Sequence, residues 1–166
     1  SHLSKAPLAP MTLTLLAKLT VLSRLIDVER GNTVSKMRIY DGESMKEKDP
    51  HAKSLQEYKD MVEGRGEGMR GLSTRFAFKI LSKTFNYNVG EIEANPVHLL
   101  TILQDTIAAE DFSEELKTRL KGIIRSELME TYIEYIGREI QKAYQDGFMD
   151  FCQNMFDRYI TLADHR

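Results

Sequence analysis

The 166-residue sequence predicts an all-α fold. Three observations carry that expectation. Apolar residues recur at helical spacing through most of the chain, capping residues stand ahead of those runs, and the C-terminal third keeps one helical pattern from Leu116 to Tyr159. Two short stretches, 36–43 and 86–94, stay open between strand and loop.

At the start, Pro7 and Pro10 discourage helix before them. From Thr12 to Ile26 the residues Leu13, Leu16, Leu19, Leu22, Leu25 and Ile26 form one broad apolar stripe, a first helix. The stretch Asp27 to Gly31 ends it, with Gly31-Asn32 as a left-handed stop. The run Lys36-Met37-Arg38-Ile39-Tyr40-Asp41-Gly42-Glu43 closes on Asp-Gly, a turn signal, and its charges suggest an exposed contact segment. A polar loop, Lys46 to Lys53, follows. Ser54 and Glu57 have capping-box spacing, and Leu55, Tyr58, Met61 and Val62 give a short second helix.

The centre of the chain is Gly71-Leu72-Ser73-Thr74-Arg75-Phe76. A glycine turn and Ser73 as N-cap open a third, amphipathic helix whose inward stripe is Phe76, Ile80 and Leu81, widened by Phe78 and Phe85. Arg75 stands in its first turn, where free amides and the helix dipole favour an anion. Asn95 caps a fourth helix with Pro96 in first position, and Val97, Leu99, Leu100, Leu103 and Ile107 line its buried side. Ser113 caps the last region, with Glu114 and Glu115 complementing the dipole. That region is a long helix or a helical hairpin, with Gly122 or Gly137 as places for a break. Its aromatics, Tyr132, Tyr135, Tyr144, Phe148, Phe151 and Tyr159, are expected to pack inward.

Composition bounds the function. The chain is 42% hydrophobic and 29% charged, ordinary for a globular protein, and its net charge of -2 gives no pull towards nucleic acid or anionic membrane. No apolar run approaches a membrane span, and no signal peptide opens the chain. Cys152 stands alone, which suits a cytoplasmic protein, and reads as a small apolar filler on a helix face. The first residue is Ser1 and a helical pattern runs to Arg166, so both ends look cut from a longer polypeptide.

Catalytic constellations are absent from the sequence. Gly66-Glu67-Gly68-Met69-Arg70-Gly71 has G-x-G-x-x-G spacing, but it follows a helical pattern instead of a strand, and Ser73 stands where a kinase loop has valine. A flexible loop between helices is the expected reading. There is no Walker A triplet, and His2, His51, His98 and His165 are scattered without metal-ligand spacing; His98 reads as a half-buried packing residue. What remains is charge: Arg65, Arg70, Arg75, Lys79 and Lys83 against the single acid Glu67, around the start of the third helix. Anion binding and a solvated face balancing Glu110 to Glu115 are both open on that chemistry.

The runs Lys36 to Ser44, Glu67 to Phe76 and Ala94-Asn95-Pro96 resemble the PrkA family of bacterial serine protein kinases, and the resemblance covers essentially the whole chain as an internal piece of a longer protein. Such proteins carry an ATP-binding AAA+ module followed by a kinase-like C-terminal region. The resemblance implies that residues 1–110 form an AAA+ lid-like helical subdomain and that residues 111–166 lead towards a further C-terminal region. Gly71, Ser73 and Thr74 then belong to a sensor-2-like motif and Arg75 takes the place of its nucleotide-sensing arginine, although Thr74 stands where relatives often have proline. The implied cofactors are ATP and Mg2+ in the full-length parent, with neither bound tightly by this piece. The implied partners are the AAA+ core, the kinase-like region and an unknown protein substrate, with no nucleic acid and no membrane. The alternative is a non-catalytic helical module that docks a neighbouring domain through its long C-terminal helices.

Overall fold

A computed structural model describes residues 7–28, 32–87 and 94–164, with side chains as far as residue 161. It is all-α. In order come α1 (Thr12–Arg24), α2 (Thr33–Tyr40), α3 (Leu55–Val62), α4 (Thr74–Phe85), α5 (Pro96–Ala109), α6 (Glu114–Ile123), a π-helical turn (Ile124–Leu128) and α7 (Met129–Asp164). No strand occurs among the described residues; the only extended pairing there is an isolated parallel bridge between Leu8 and Ala94. By its contacts the chain divides into Ser1–Met129 and Glu130–Arg166.

Within the first unit, α1 is the axis of the core. Leu15, Leu16, Leu19 and Leu22 are buried, and α1 touches α2, α4, α5, α6 and the π turn. Each such leucine contributes about 2 kcal/mol of burial. Ile80 of α4, Leu99, Leu103 and Ile107 of α5, and Leu120, Ile124 and Leu128 beyond them complete this core. A smaller cluster of Val28, Tyr58 and Val62, with Ile26, Ile39 and Tyr40 against it, holds α2 and α3.

Local capping chemistry sets most of the helix starts. Ser54 and Glu57 form the capping box of α3, Ser73 caps α4 through Phe76 N–H at 3.1 Å, Asn95 caps α5 ahead of Pro96, and Ser113 caps α6. The end of α1 is completed from a distance. Arg119 of α6 donates to the carbonyls of Leu22 and Ser23 at 3.3 and 3.4 Å, to that of Leu25 at 2.5 Å, and pairs with Asp27 at 3.2 Å. A cation on the last carbonyls of a helix satisfies acceptors that lack an intrahelical partner and meets the negative end of the dipole.

Several expectations need correction. The first helix stops at Arg24 instead of Ile26, and Asn32 accepts from Val34 N–H as the N-cap of α2. The Gly31 stop lies outside the described residues, as does most of the 86–94 connector. Of residues 36–43 the first five are helix, as α2 runs through Tyr40, and only Asp41, Gly42 and Glu43 form an exposed turn; Lys36 is fully buried. Phe78 (61% exposed), Val97 (56%) and Leu13 (52%) face outward, because the neighbours of α1, α4 and α5 cover narrower arcs than the apolar stripes span. Neither Gly122 nor Gly137 breaks a helix; the irregularity falls at Ile124–Leu128, whose buried ends Ile124 and Leu128 continue the inward line from Leu120.

The second unit is the body of α7. Of the aromatics expected to pack inward, Tyr132 and Tyr135 are half-buried and Tyr144, Phe148, Phe151 and Tyr159 are exposed, as are Ile133, Ile140, Met155 and Cys152. The exposed positions follow a helical period, so they form a solvent-facing band instead of a core. Tyr132 and Tyr135 stack at 6.5 Å between centroids.

Candidate functional site

The site is built on the loop that joins α3 to α4. Far from being a loose connector, its described backbone is stitched along the end of α1. Gly68 N–H donates to the Arg24 carbonyl (3.1 Å), Leu72 N–H donates to Ser23 Oγ (3.0 Å), and Arg24 Nε donates to the Leu72 carbonyl (3.0 Å). Leu72 is buried between these bonds. Gly71 makes the approach possible. Its φ is +118°, and a Cβ there would stand 2.5 Å from the Ser23 carbonyl oxygen, closer than any side chain tolerates.

Glu67 fastens the middle of the same loop. Its Oε1 accepts from Ile26 N–H at 2.8 Å and from the Lys36 ammonium, and its Oε2 accepts from the Tyr40 hydroxyl at 2.9 Å. Lys36 is fully buried, gives a further bond to the Ile26 carbonyl at 3.1 Å, and lies 5.5 Å from the centre of the Tyr40 ring. Burial pushes the Glu67 carboxyl upward, but the bonds from Lys36, Ile26 and Tyr40 outweigh it and leave the group below its ordinary range. Burial, followed by the bond to Glu67 and its charge, pushes the Tyr40 hydroxyl up to about 12. Sequence reasoning missed this network. The available signal was a single acid in an otherwise basic loop, but nothing in the sequence pointed to Lys36 as its partner.

The loop delivers Ser73 and the first turn of α4 to an open cavity of about 280 Å3, lined by Gly71, Ser73, Arg75, Phe76, Lys79 and Glu110 among others. The basic residues grouped by sequence separate here. Lys79 pairs with Glu110, and Lys83 donates to Thr106 Oγ1 at 3.2 Å. Arg75 is exposed at the cavity edge and its side chain takes part in no ion pair or hydrogen bond with the described residues. Thr74 is likewise exposed. The arrangement therefore presents a guanidinium that none of the described residues neutralises beside the positive end of a capped helix, which is chemistry suited to an anionic group. Of the histidines, His98 is half-buried, with its ring 4.5 Å from that of Tyr87, and it lies apart from this cavity.

Comparison with known proteins agrees with the resemblance in sequence. Residues 34–166 match the PrkA serine protein kinase C-terminal domain. The chain is 51% identical over 164 residues to the serine/threonine kinase YeaG of Escherichia coli strain K12, covering 99% of this chain and 25% of that protein. It is 27% identical over 169 residues to the ATP-dependent protease PrkA of Bacillus subtilis strain 168, covering 99% of this chain and 26% of that one. The chain thus spans about a quarter of the length of these relatives. No solved structure matches it. A family match over most of the chain, together with half-identity along nearly all of it, places this protein in the PrkA serine protein kinase family.

Proposed function

We propose that this segment serves an ATP-dependent PrkA-family protein as the helical lid over its nucleotide site, with Arg75 as the residue that senses the terminal phosphate. In this reading residues 1–110 are the lid and residues 111–166 lead to the kinase-like region. ATP and Mg2+ are held by an AAA+ core outside this segment, in the cytoplasm. The observation that carries the reading is the guanidinium of Arg75, paired with none of the described residues, in the first turn of a capped helix on an open cavity. Transfer of the terminal phosphoryl group builds negative charge on its oxygens, and an arginine supplied by the lid stabilises that charge while coupling phosphate occupancy to lid angle. The bonds from Ser23, Arg24 and Glu67 support this role, since a sensor has to be held by a stiff mount.

The relatives' names differ over the reaction, one being called a serine/threonine kinase and another an ATP-dependent protease. A lid arginine acts on the phosphate in either case. Arg75→Ala in the full-length protein should slow ATP turnover by about tenfold or more while helicity is unchanged by circular dichroism. Unchanged turnover with an intact lid removes Arg75 from the mechanism.

The exposed apolar band of α7 favours a second reading, a helical module that docks a neighbouring domain or partner. The two readings part on nucleotide turnover by the full-length protein, which only the lid reading ties to Arg75. By either, the 166-residue chain alone should bind ATP weakly or not at all, and tight Mg2+-dependent binding by it would overturn the lid assignment.

A further inference from the structure

A second basic cavity stands apart from Arg75. It occupies about 650 Å3 beside α2 and the turn after it, lined by Ser35, Arg38, Met45, Lys48, Asp49 and His51 among others, and it shares no lining residue with the Arg75 cavity. Three of those side chains are cations or can become cations. Its single carboxylate is already engaged: the Ser35 hydroxyl donates to Asp49 Oδ2 at 2.6 Å and His51 N–H donates to Oδ1 at 3.0 Å. Those donors hold the Asp49 carboxyl below its usual range, so it stays ionised. The Arg38 and Lys48 side chains and the His51 ring form no ion pair or hydrogen bond with the described residues. Met45, buried, adds an apolar element to the lining.

We propose that this cavity binds a phosphate group, free or as a monoester. A half-buried guanidinium, an exposed ammonium and an imidazole are the donor set that recognises a compact dianion, and Arg38 can offer two parallel N–H bonds to it. Asp49 takes back one charge, so the site is net positive by one with His51 neutral and by two with His51 protonated. The volume exceeds that of a phosphate and leaves room for the organic part of an ester. A polyanion is disfavoured, because the chain as a whole carries a net charge of -2.

The test is an NMR titration of the 166-residue chain at fixed pH and ionic strength. Inorganic phosphate and O-phosphoserine are added separately, and the His51 ring and Arg38 Nε–H signals are followed. Saturable shifts at both residues are expected, with a Kd of about 1 mM for the better ligand. A tighter fit for phosphoserine points to a phosphorylated residue as the source, and equal affinity points to free phosphate. Lys48→Gln, at an exposed position, should weaken binding by about tenfold. Arg38→Gln should do the same, provided its spectrum stays dispersed. Linear, unsaturated shifts at both residues up to 50 mM (about fifty times the expected Kd) would overturn the proposal. So would shifts confined to residues 73–79, or a Lys48→Gln chain that binds within threefold of the parent.

Discussion

Replacing Glu67 by glutamine isolates the network that fixes the loop ahead of α4. The substitution keeps size and an acceptor oxygen but removes the charge opposite Lys36, whose side chain has no solvent exposure. Lys36 then retains the Ile26 carbonyl at 3.1 Å and the faces of Tyr40 and Tyr58. Removing one member of a buried pair costs about 3–5 kcal/mol. The Glu67 side chain is 12% exposed, so water reaches the site and the lower end, about 3 kcal/mol, applies. Lys36→Met should cost about 2 kcal/mol, because the remaining carboxylate keeps the Ile26 and Tyr40 donors. The double variant should then lose well under the sum, by at least about 2 kcal/mol, since neither ion is left without its partner. Urea unfolding followed by far-ultraviolet circular dichroism reads this directly. For a slope of about 1.5 kcal/mol/M, Glu67→Gln should move the midpoint down by about 2 M. The same pair sets an acid limb. Because the folded carboxyl releases its proton more readily than the ordinary group at 4.5, its stabilisation is complete above that pH. It is lost as pH falls below that value, through the folded pKa, and Glu67→Gln should flatten the limb. Single-variant losses that simply add in the double variant, or a Glu67→Gln loss under about 1 kcal/mol, would refute the reasoning.

Three further outcomes are expected. Gly71→Ala should cost at least about 2 kcal/mol more than Gly64→Ala in urea unfolding: both glycines have positive φ, but only at Gly71 does a Cβ meet backbone, the Ser23 carbonyl. Equal losses would mean that the loop and α1 do not approach as described. Tyr58→Phe should leave stability unchanged or raise it by up to about 1 kcal/mol, since the buried Tyr58 hydroxyl has no partner among the described residues; a clear loss would show a partner for it. In an ultraviolet titration, Tyr40 should ionise near 12, above the ordinary value of 10.0, and Glu67→Gln should bring it down. The folded hydroxyl holds its proton more tightly, so the stability it contributes is present below pH 10 and declines as pH rises towards 12. A Tyr40 titration unmoved by Glu67→Gln would separate the two groups.

The sequence by itself determined where most helices begin, because an N-cap is a bond between residues three apart and needs no neighbour. Ser54, Ser73, Asn95 and Ser113 are each legible in this way, and each caps its helix. It also marked Gly71 as a turn and Arg75 as the cation of the first turn of α4, again from adjacent residues. Tertiary structure decided the rest. Whether a helix face is core or surface depends on the elements opposite, so Phe78, Val97 and, on α7, Tyr144, Phe148, Phe151 and Tyr159 satisfy the period and are exposed all the same. Helical residues 36–40 carry Lys36, buried against Glu67 in an ion pair across 31 positions that local pattern cannot anticipate. The basic cluster was resolved in the same way: Glu110 took Lys79 and Thr106 took Lys83, whereas the Arg65, Arg70 and Arg75 side chains pair with none of the described residues, because long-range contacts alone choose which charges are neutralised.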